Sequence, residues 1–163
     1  MGYAGCALTC EIESLHGEFP DLSGTVCVQA KAGGGIIFSG KLAGLETDTE
    51  GGFHIHSGTG CESDLQGGHY WSGNPAGTES ECPIAPDPWT GEYDAVWNSD
   101  ASGNASPYNV NPGLKVGAIP FTIGTDDSQC GVTGHTVIVH KGCPADEPDC
   151  ETAGTRIGCC VLE

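Results

Sequence analysis

The residues best suited to chemistry in this chain are two histidines in the run Gly52-Phe53-His54-Ile55-His56. Successive side chains of a β-strand point to opposite faces, so residues two apart share a face, with Cα atoms about 7 Å apart. At that separation two imidazoles can bind one metal ion. An i, i+2 histidine pair on an apolar strand therefore predicts a metal site.

Two further histidines occupy comparable positions. His69 follows a pair of glycines, and His140 ends a largely apolar, strand-like run. A site of four imidazoles suits copper, zinc, iron or nickel, and does not suit magnesium or calcium. The chain has six histidines. We expect the other two, His16 and His135, to be structural, and His135 to lie on the strand face opposite His140, five residues away.

These histidines must be positioned by β-strands, because the composition disfavours long helices. The 163 residues suffice for one domain with a core, and 27 glycines and 10 prolines favour turns and β-structure. Strand-like segments recur at residues 6–15, 24–30, 35–42, 52–56, 116–123 and 135–140, whereas residues 57–112 form one long irregular region. The pattern predicts an all-β sandwich or barrel in a single domain, residues 1–163. No apolar stretch approaches the ~20 residues of a membrane helix.

The ten cysteines predict disulfides rather than a thiolate metal site. No two C-x-x-C pairs occur at the spacing of a zinc ribbon, which is the alternative. Disulfide-dense domains are typical of secreted and surface proteins, so we expect an extracellular or cell-surface location. Cys143 and Cys150 bracket a short loop that we expect their own disulfide to close. No basic region and no long apolar core precede the first cysteine, as expected for a mature fragment or a module of a longer protein.

The charge of the chain excludes several kinds of partner. With 22 acidic residues against 5 basic ones, the formal net charge is -17. Nucleic-acid binding needs a basic footprint, so nucleic acid is not an expected partner. The same charge disfavours anionic membrane surfaces, and we expect no membrane insertion.

Taken in chain order, five motifs resemble the copper,zinc superoxide dismutase family. The resemblance covers roughly residues 24–161. The matching segments are Gly52-Phe53-His54-Ile55-His56, Gly60-Cys61, Gly67-Gly68-His69-Tyr70, residues 134–140 and Ala153-Gly154-Thr155-Arg156-Ile157-Gly158-Cys159.

The resemblance implies a Greek-key β-sandwich or flattened barrel of about eight strands, the immunoglobulin-like fold of that family. It implies copper-dependent dismutation of superoxide to oxygen and hydrogen peroxide. The implied copper ligands are His54, His56, His69 and His140. By the same resemblance, Arg156 guides and holds the superoxide anion, and His69 binds Cu(II), releases Cu(I) and supplies a proton. The family also pairs the cysteines that correspond to Cys61 and Cys159.

The departures from the family pattern resemble its copper-only branch. No histidine lies between His69 and His135, so a complete zinc site cannot be assembled, and we expect one copper ion per domain and no zinc. Without zinc, the far ring nitrogen of His69 needs another partner, for which a carboxylate is the simplest choice. Asp100 is the first candidate, before Asp94 and Glu92.

Two other interpretations stay open. The domain can be a non-catalytic copper-binding or structural extracellular module, although an intact Arg156 beside four histidines argues against a decayed enzyme. Alternatively, zinc can fill the site, which would make it redox-silent. The sequence leaves open the oligomeric state, whether further repeats of the same domain adjoin this one, and the partners of the remaining cysteines, which are Cys6, Cys10, Cys27, Cys82, Cys130 and Cys160.

Overall fold

The structure, a computed structural model, describes residues 5–73, 81–85, 87–89, 96–105, 121–143 and 154–163. Within these ranges the chain forms eight β-strands and a short 3-10 helix, Asp127–Gln129. The strands are β1 (Leu8–Glu11), β2 (Glu13–Ser14), β3 (Ser23–Ala30), β4 (Ile36–Ala43), β5 (Glu50–His56), β6 (Val96–Asn98), β7 (Thr136–Cys143) and β8 (Arg156–Val161).

The strands form two antiparallel sheets. One sheet has the order β1-β3-β4, and the other has the order β2-β8-β7-β5-β6. Their inner faces share one apolar core, in which Phe38 of β4 meets Phe53 of β5 edge to face, with ring centroids 5.6 Å apart. The all-β prediction of about eight strands is confirmed.

The N-terminal segment differs from the prediction. Residues 6–15 form two strands in different sheets, rather than one strand. β1 pairs with β3, whereas β2 pairs with β8. The chain crosses between the sheets at Ile12, which is buried and donates its N–H to the carbonyl of Gly24 at 2.8 Å. Because the same alternation of buried and exposed residues continues across Ile12, the sequence shows no break there.

The region predicted to be irregular contains one strand, β6. It pairs with the start of β5, and its Trp97 is fully buried. Gly51 makes room for that ring, since a Cβ atom there would lie 2.4 Å from Trp97 Cζ2. In the predicted strand 116–123, residues 116–120 lie outside the described residues, and 121–123 contribute only a bridge between Thr122 and Gly131. β7 continues beyond His140 to Cys143.

Four disulfides connect the described residues. Cys61 and Cys159 are joined, as the family resemblance implied. The pairs that the sequence left open are Cys6–Cys27, Cys10–Cys160 and Cys82–Cys130. The predicted Cys143–Cys150 disulfide stays a prediction, because Cys150 lies outside the described residues. Several disulfides in one small domain indicate an oxidising, extracytoplasmic environment.

In the described part of the chain, no helix is long and apolar enough to cross a bilayer.

Candidate metal centre

β5 carries two of the four predicted ligands on one of its faces. Phe53 and Ile55 point into the core between the sheets, and alternation therefore turns His54 and His56 to the outer face of the five-stranded sheet. Both imidazoles are nevertheless buried, with relative exposures of 0% and 1%. An outward-facing pair of buried polar rings must be covered by loops, and the loop after β5 lies over it.

β7 brings the third histidine to the same face. Its register pairs His54 directly with Ile138, so these two side chains point the same way. His140 lies two residues beyond Ile138 and returns to that face, although the pairing of β7 with β8 shifts register between Val139 and His140. The His54 and His140 rings lie 4.8 Å apart, centroid to centroid.

The fourth histidine, His69, comes from the loop that follows β5. This loop folds back along the end of the strand, where His56 and His69 form an isolated antiparallel bridge. The N–H of Tyr70 donates to the carbonyl of Ile55 at 3.0 Å and continues that contact. As a result, the rings of His54 and His69 lie 4.6 Å apart.

The four histidines converge on one point. Each offers a ring nitrogen, and these four atoms all lie within 4.8 Å of one another. Among the residues that the structure describes, this is the only cluster of histidine, cysteine or carboxylate groups arranged to hold a metal ion. The structure thus brings together all four residues that the sequence selected as ligands, His54, His56, His69 and His140.

In three of these rings, hydrogen bonds determine which of the two ring nitrogens is free to bind a metal ion. The Nδ1 atoms of His56 and His140 lie 3.0 Å and 2.7 Å from the carbonyl oxygens of Gly67 and Gly154. A carbonyl oxygen can only accept, so each Nδ1 carries the proton and each neutral ring keeps its lone pair on Nε2. His69 Nδ1 donates in the same way to a carboxylate. Three Nε2 lone pairs are therefore available for a metal ion.

The buried Nε2 atoms fit a metal ion. Those of His56 and His140 have no hydrogen-bond partner among the described residues, and a buried acceptor without one carries a desolvation cost. Burial also lowers the pKa of His54 and of His140 to about 3, and lowers that of His56 well below its usual value. The rings therefore stay neutral at physiological pH, which is the form that binds metals.

The carboxylate partner of His69 is Asp87, not Asp100. His69 Nδ1 donates to Asp87 Oδ2 at 2.8 Å, while the other oxygen, Asp87 Oδ1, accepts the N–H of Trp89 at 2.9 Å. Asp100 is exposed and accepts the backbone N–H groups of Ser102 and Asn104, which makes it a turn residue. The prediction for Asp100 is wrong because its carboxylate is used to close its own loop.

The other two carboxylate candidates, Glu92 and Asp94, lie outside the described residues. No spacing in the sequence pointed to Asp87, which is 18 residues from His69 in the irregular region.

Arg156, at the start of β8, lies beside the histidine cluster. Its backbone pairs with His140, and its charge contributes to the lowered pKa values of His56 and His140. Its Nη1 donates to Gln66 Oε1 at 3.0 Å, and its Nη2 donates to the carbonyl of Gly67 at 2.7 Å. The side chain is therefore held in one orientation.

Gly67 connects the arginine to a candidate ligand, because its carbonyl accepts from both His56 Nδ1 and Arg156 Nη2. The residue has φ +70°, and a Cβ atom there would lie 2.5 Å from the backbone nitrogen of Gly58. Only glycine is tolerated well in that conformation.

The two histidines expected to be structural lie outside the cluster. His135 Nδ1 contacts the carbonyl of Ser57 at 3.1 Å, and its Nε2 contacts Asp127 Oδ1 at 2.9 Å. His16 Nδ1 accepts the N–H of Glu18 in a turn. Glu18 in turn pairs with Lys141, so the charge of this lysine is compensated locally.

Comparisons with known proteins agree with this geometry. The sequence model of the family described as copper/zinc superoxide dismutase (SODC) matches residues 22–162. No curated protein matches the chain significantly.

Two solved structures share the fold. The crystal structure of a double mutant of a SOD-like protein from Bacillus subtilis has a TM-score of 0.58 at 17% identity, and the match covers 96% of this chain and 98% of that one. The structure of the clock protein EA4 has a TM-score of 0.58 at 15% identity, covering 99% and 97%. These identities show the fold alone. The family match, by contrast, spans all four clustered histidines and Arg156, and this chain belongs to the copper/zinc superoxide dismutase family.

Proposed function

We propose that this protein binds one copper ion through His54, His56, His69 and His140 and dismutates superoxide, without a zinc site. The single observation that carries the proposal is the convergence of four imidazole nitrogens within 4.8 Å of one another. Bound copper would supply one-electron chemistry, since imidazole supports both Cu(II) and Cu(I). In the complete reaction, two superoxide ions and two protons give one molecule of oxygen and one of hydrogen peroxide.

Arg156 is the residue that binds the anion in this proposal. Its guanidinium is fixed by two hydrogen bonds beside the cluster, and a rigid, permanently charged fork suits a small anion. The formal net charge of -17 repels superoxide overall. Screening over ~8–10 Å at physiological salt reduces that repulsion, so the charge next to the site has the larger influence on capture.

His69 is the residue that moves a proton. Its Nε2 faces the cluster and can take up a proton and release it to the product peroxide, as the family resemblance implies. Asp87 keeps Nδ1 protonated and fixes the ring orientation during this exchange. A carboxylate at Nδ1 occupies the atom through which a zinc ion would bind, and this supports the copper-only assignment.

A non-catalytic copper-binding module is the second candidate. The two structural relatives are described as a SOD-like protein and as a clock protein, so their shared fold does not by itself decide between an enzyme and a binding module. We further propose that the protein works as a single domain outside the cytoplasm, with superoxide as its substrate, and that nucleic acid is not a partner.

Superoxide decay measured by pulse radiolysis on the copper-loaded protein tests the proposal. We expect wild-type protein to remove superoxide catalytically and His140→Ala to abolish turnover. Arg156→Ala should slow turnover about ten- to a hundredfold and leave copper bound, because charge-assisted hydrogen bonds contribute about 1.5–3 kcal/mol. A copper-loaded wild-type protein without activity would favour the binding module. Unchanged activity in Arg156→Ala would remove the anion-binding role.

A further inference from the structure

Gln66 is a buried polar side chain to which the proposed function assigns no role. Its relative exposure is 6%, and it lies in the loop between β5 and His69. Its amide nitrogen donates to the carbonyl of Cys61 at 2.8 Å, and its amide oxygen accepts from Arg156 Nη1 at 3.0 Å. A buried glutamine with both ends of its amide bonded is unlike a surface side chain, because moving it would break two hydrogen bonds at once.

The chemistry of the two partners allows one orientation of this amide. A guanidinium has donors only, so it must face the oxygen of Gln66, and a backbone carbonyl accepts only, so it must face the nitrogen. The backbone of Gln66 is fixed as well, since its carbonyl accepts from the hydroxyl of buried Thr136 on β7 at 3.0 Å. Cys61 is in turn tied to β8 by its disulfide with Cys159.

We propose that Gln66 is the positioning residue for Arg156. Its amide joins the disulfide-anchored Cys61 carbonyl to the guanidinium, and thereby holds that group in place to bind the substrate anion beside the metal. This inference rests on the proposed function for the identity of the anion. It does not rest on turnover, because the orientation of Arg156 controls the binding of any small anion at the site.

The geometry also shows what loss of the amide would do. Arg156 would keep its bond from Nη2 to the Gly67 carbonyl and lose the one from Nη1, so a fork held at two points would become a group held at one. It could then rotate about its remaining contact. Binding of the anion would then have to order the guanidinium at a cost in free energy, so the affinity for the anion would fall.

Azide binding to the Cu(II)-loaded protein, followed by its visible spectrum, tests the proposal with a readout other than activity. Gln66→Leu removes both amide contacts at similar side-chain volume. We expect it to weaken azide binding about fivefold, which is a smaller loss than removing a whole hydrogen bond to a charged group would cause. Gln66→Glu places a carboxylate against the guanidinium, and we expect it to weaken azide binding more strongly. Gln29→Leu is the matched control and should behave as wild type, since Gln29 lies on β3 of the other sheet and its amide donates to the carbonyl of Gly5.

A double-mutant cycle separates positioning from a structural role. In an Arg156→Ala background, Gln66→Leu should change azide affinity less than twofold, because the residue on which it acts is absent. Equal effects in both backgrounds would overturn the proposal, as would azide affinities within twofold of wild type in both Gln66 variants. Azide binding that follows the expected pattern in a protein without dismutase activity would uphold the role of Gln66 and refute only the proposed function.

Discussion

Replacing Asp87 by asparagine tests whether this carboxylate orients His69 for metal binding, as the proposed copper-only site requires. In the native structure both carboxylate oxygens accept hydrogen bonds, one from His69 Nδ1 at 2.8 Å and one from the Trp89 N–H at 2.9 Å. Asparagine has one acceptor oxygen and one donor nitrogen. In either orientation of the amide, one of the two donors therefore faces an NH₂ group.

The size of the effect follows from these two bonds. If the amide oxygen keeps Trp89, His69 loses a charge-assisted bond that contributes about 1.5–3 kcal/mol, and its ring is no longer held with Nε2 toward the cluster. Residues that orient metal ligands in this way typically change metal affinity by about 10–100-fold. We therefore expect Asp87→Asn to weaken copper binding by at least about tenfold.

Competition with a copper chelator of known affinity measures this change, and Asp100→Asn is the matched control. Asp100 is exposed and its carboxylate accepts hydrogen bonds from Ser102 and Asn104 of its own turn, so its substitution should leave copper affinity unchanged. Copper binding by Asp87→Asn within twofold of wild type would refute a role for Asp87 in orienting His69. Asp100→Asn that weakens copper binding as much as Asp87→Asn does would refute it equally.

Three further outcomes follow from the same structure. Between pH 7 and pH 5, the copper-free protein should lose about 2 kcal/mol of unfolding free energy for each of His54 and His140. Their pKa values of about 3 in the folded protein lie below the usual 6.5, so the unfolded state takes up protons first as the pH falls. An unfolding free energy from urea denaturation that stays constant over this pH range would contradict this prediction. The double variant Cys61→Ser, Cys159→Ser should lose roughly 2–5 kcal/mol in the same assay, since the disulfide closes a long loop. Gly67→Ala should lose at least about 1–2 kcal/mol and bind copper more weakly, because φ +70° and the nearby Gly58 nitrogen disfavour a side chain; wild-type stability in this variant would show that the loop adapts freely.

The sequence was most informative about features that short-range backbone geometry determines. Alternation along one strand placed His54 and His56 on a common face without any knowledge of the fold. The ordered family motifs indicated His69, His140 and Arg156 as further site residues, together with the Cys61–Cys159 pair. The structure brings the four histidines together and joins that pair, while the roles of these residues in copper chemistry remain predictions.

The sequence was least informative where contacts depend on loop paths. The Asp87–His69 contact spans 18 residues of irregular chain, where no periodicity relates one residue to another. Gln66 reads as an ordinary polar loop residue until its amide is seen between Cys61 and Arg156. The crossing between the sheets at Ile12 was hidden for a different reason, since the pattern of burial is the same on both sides of it.

The most direct test of the central claim is a metal titration of the purified, metal-free protein, with copper and zinc supplied together and the bound metals counted after desalting. Electron paramagnetic resonance on the same sample reports the ligands of Cu(II). We expect one copper and no zinc per chain, with a Cu(II) spectrum split by imidazole nitrogens that disappears in the His140→Ala protein. One zinc bound beside each copper, or a copper spectrum that is unchanged by His140→Ala, would contradict it.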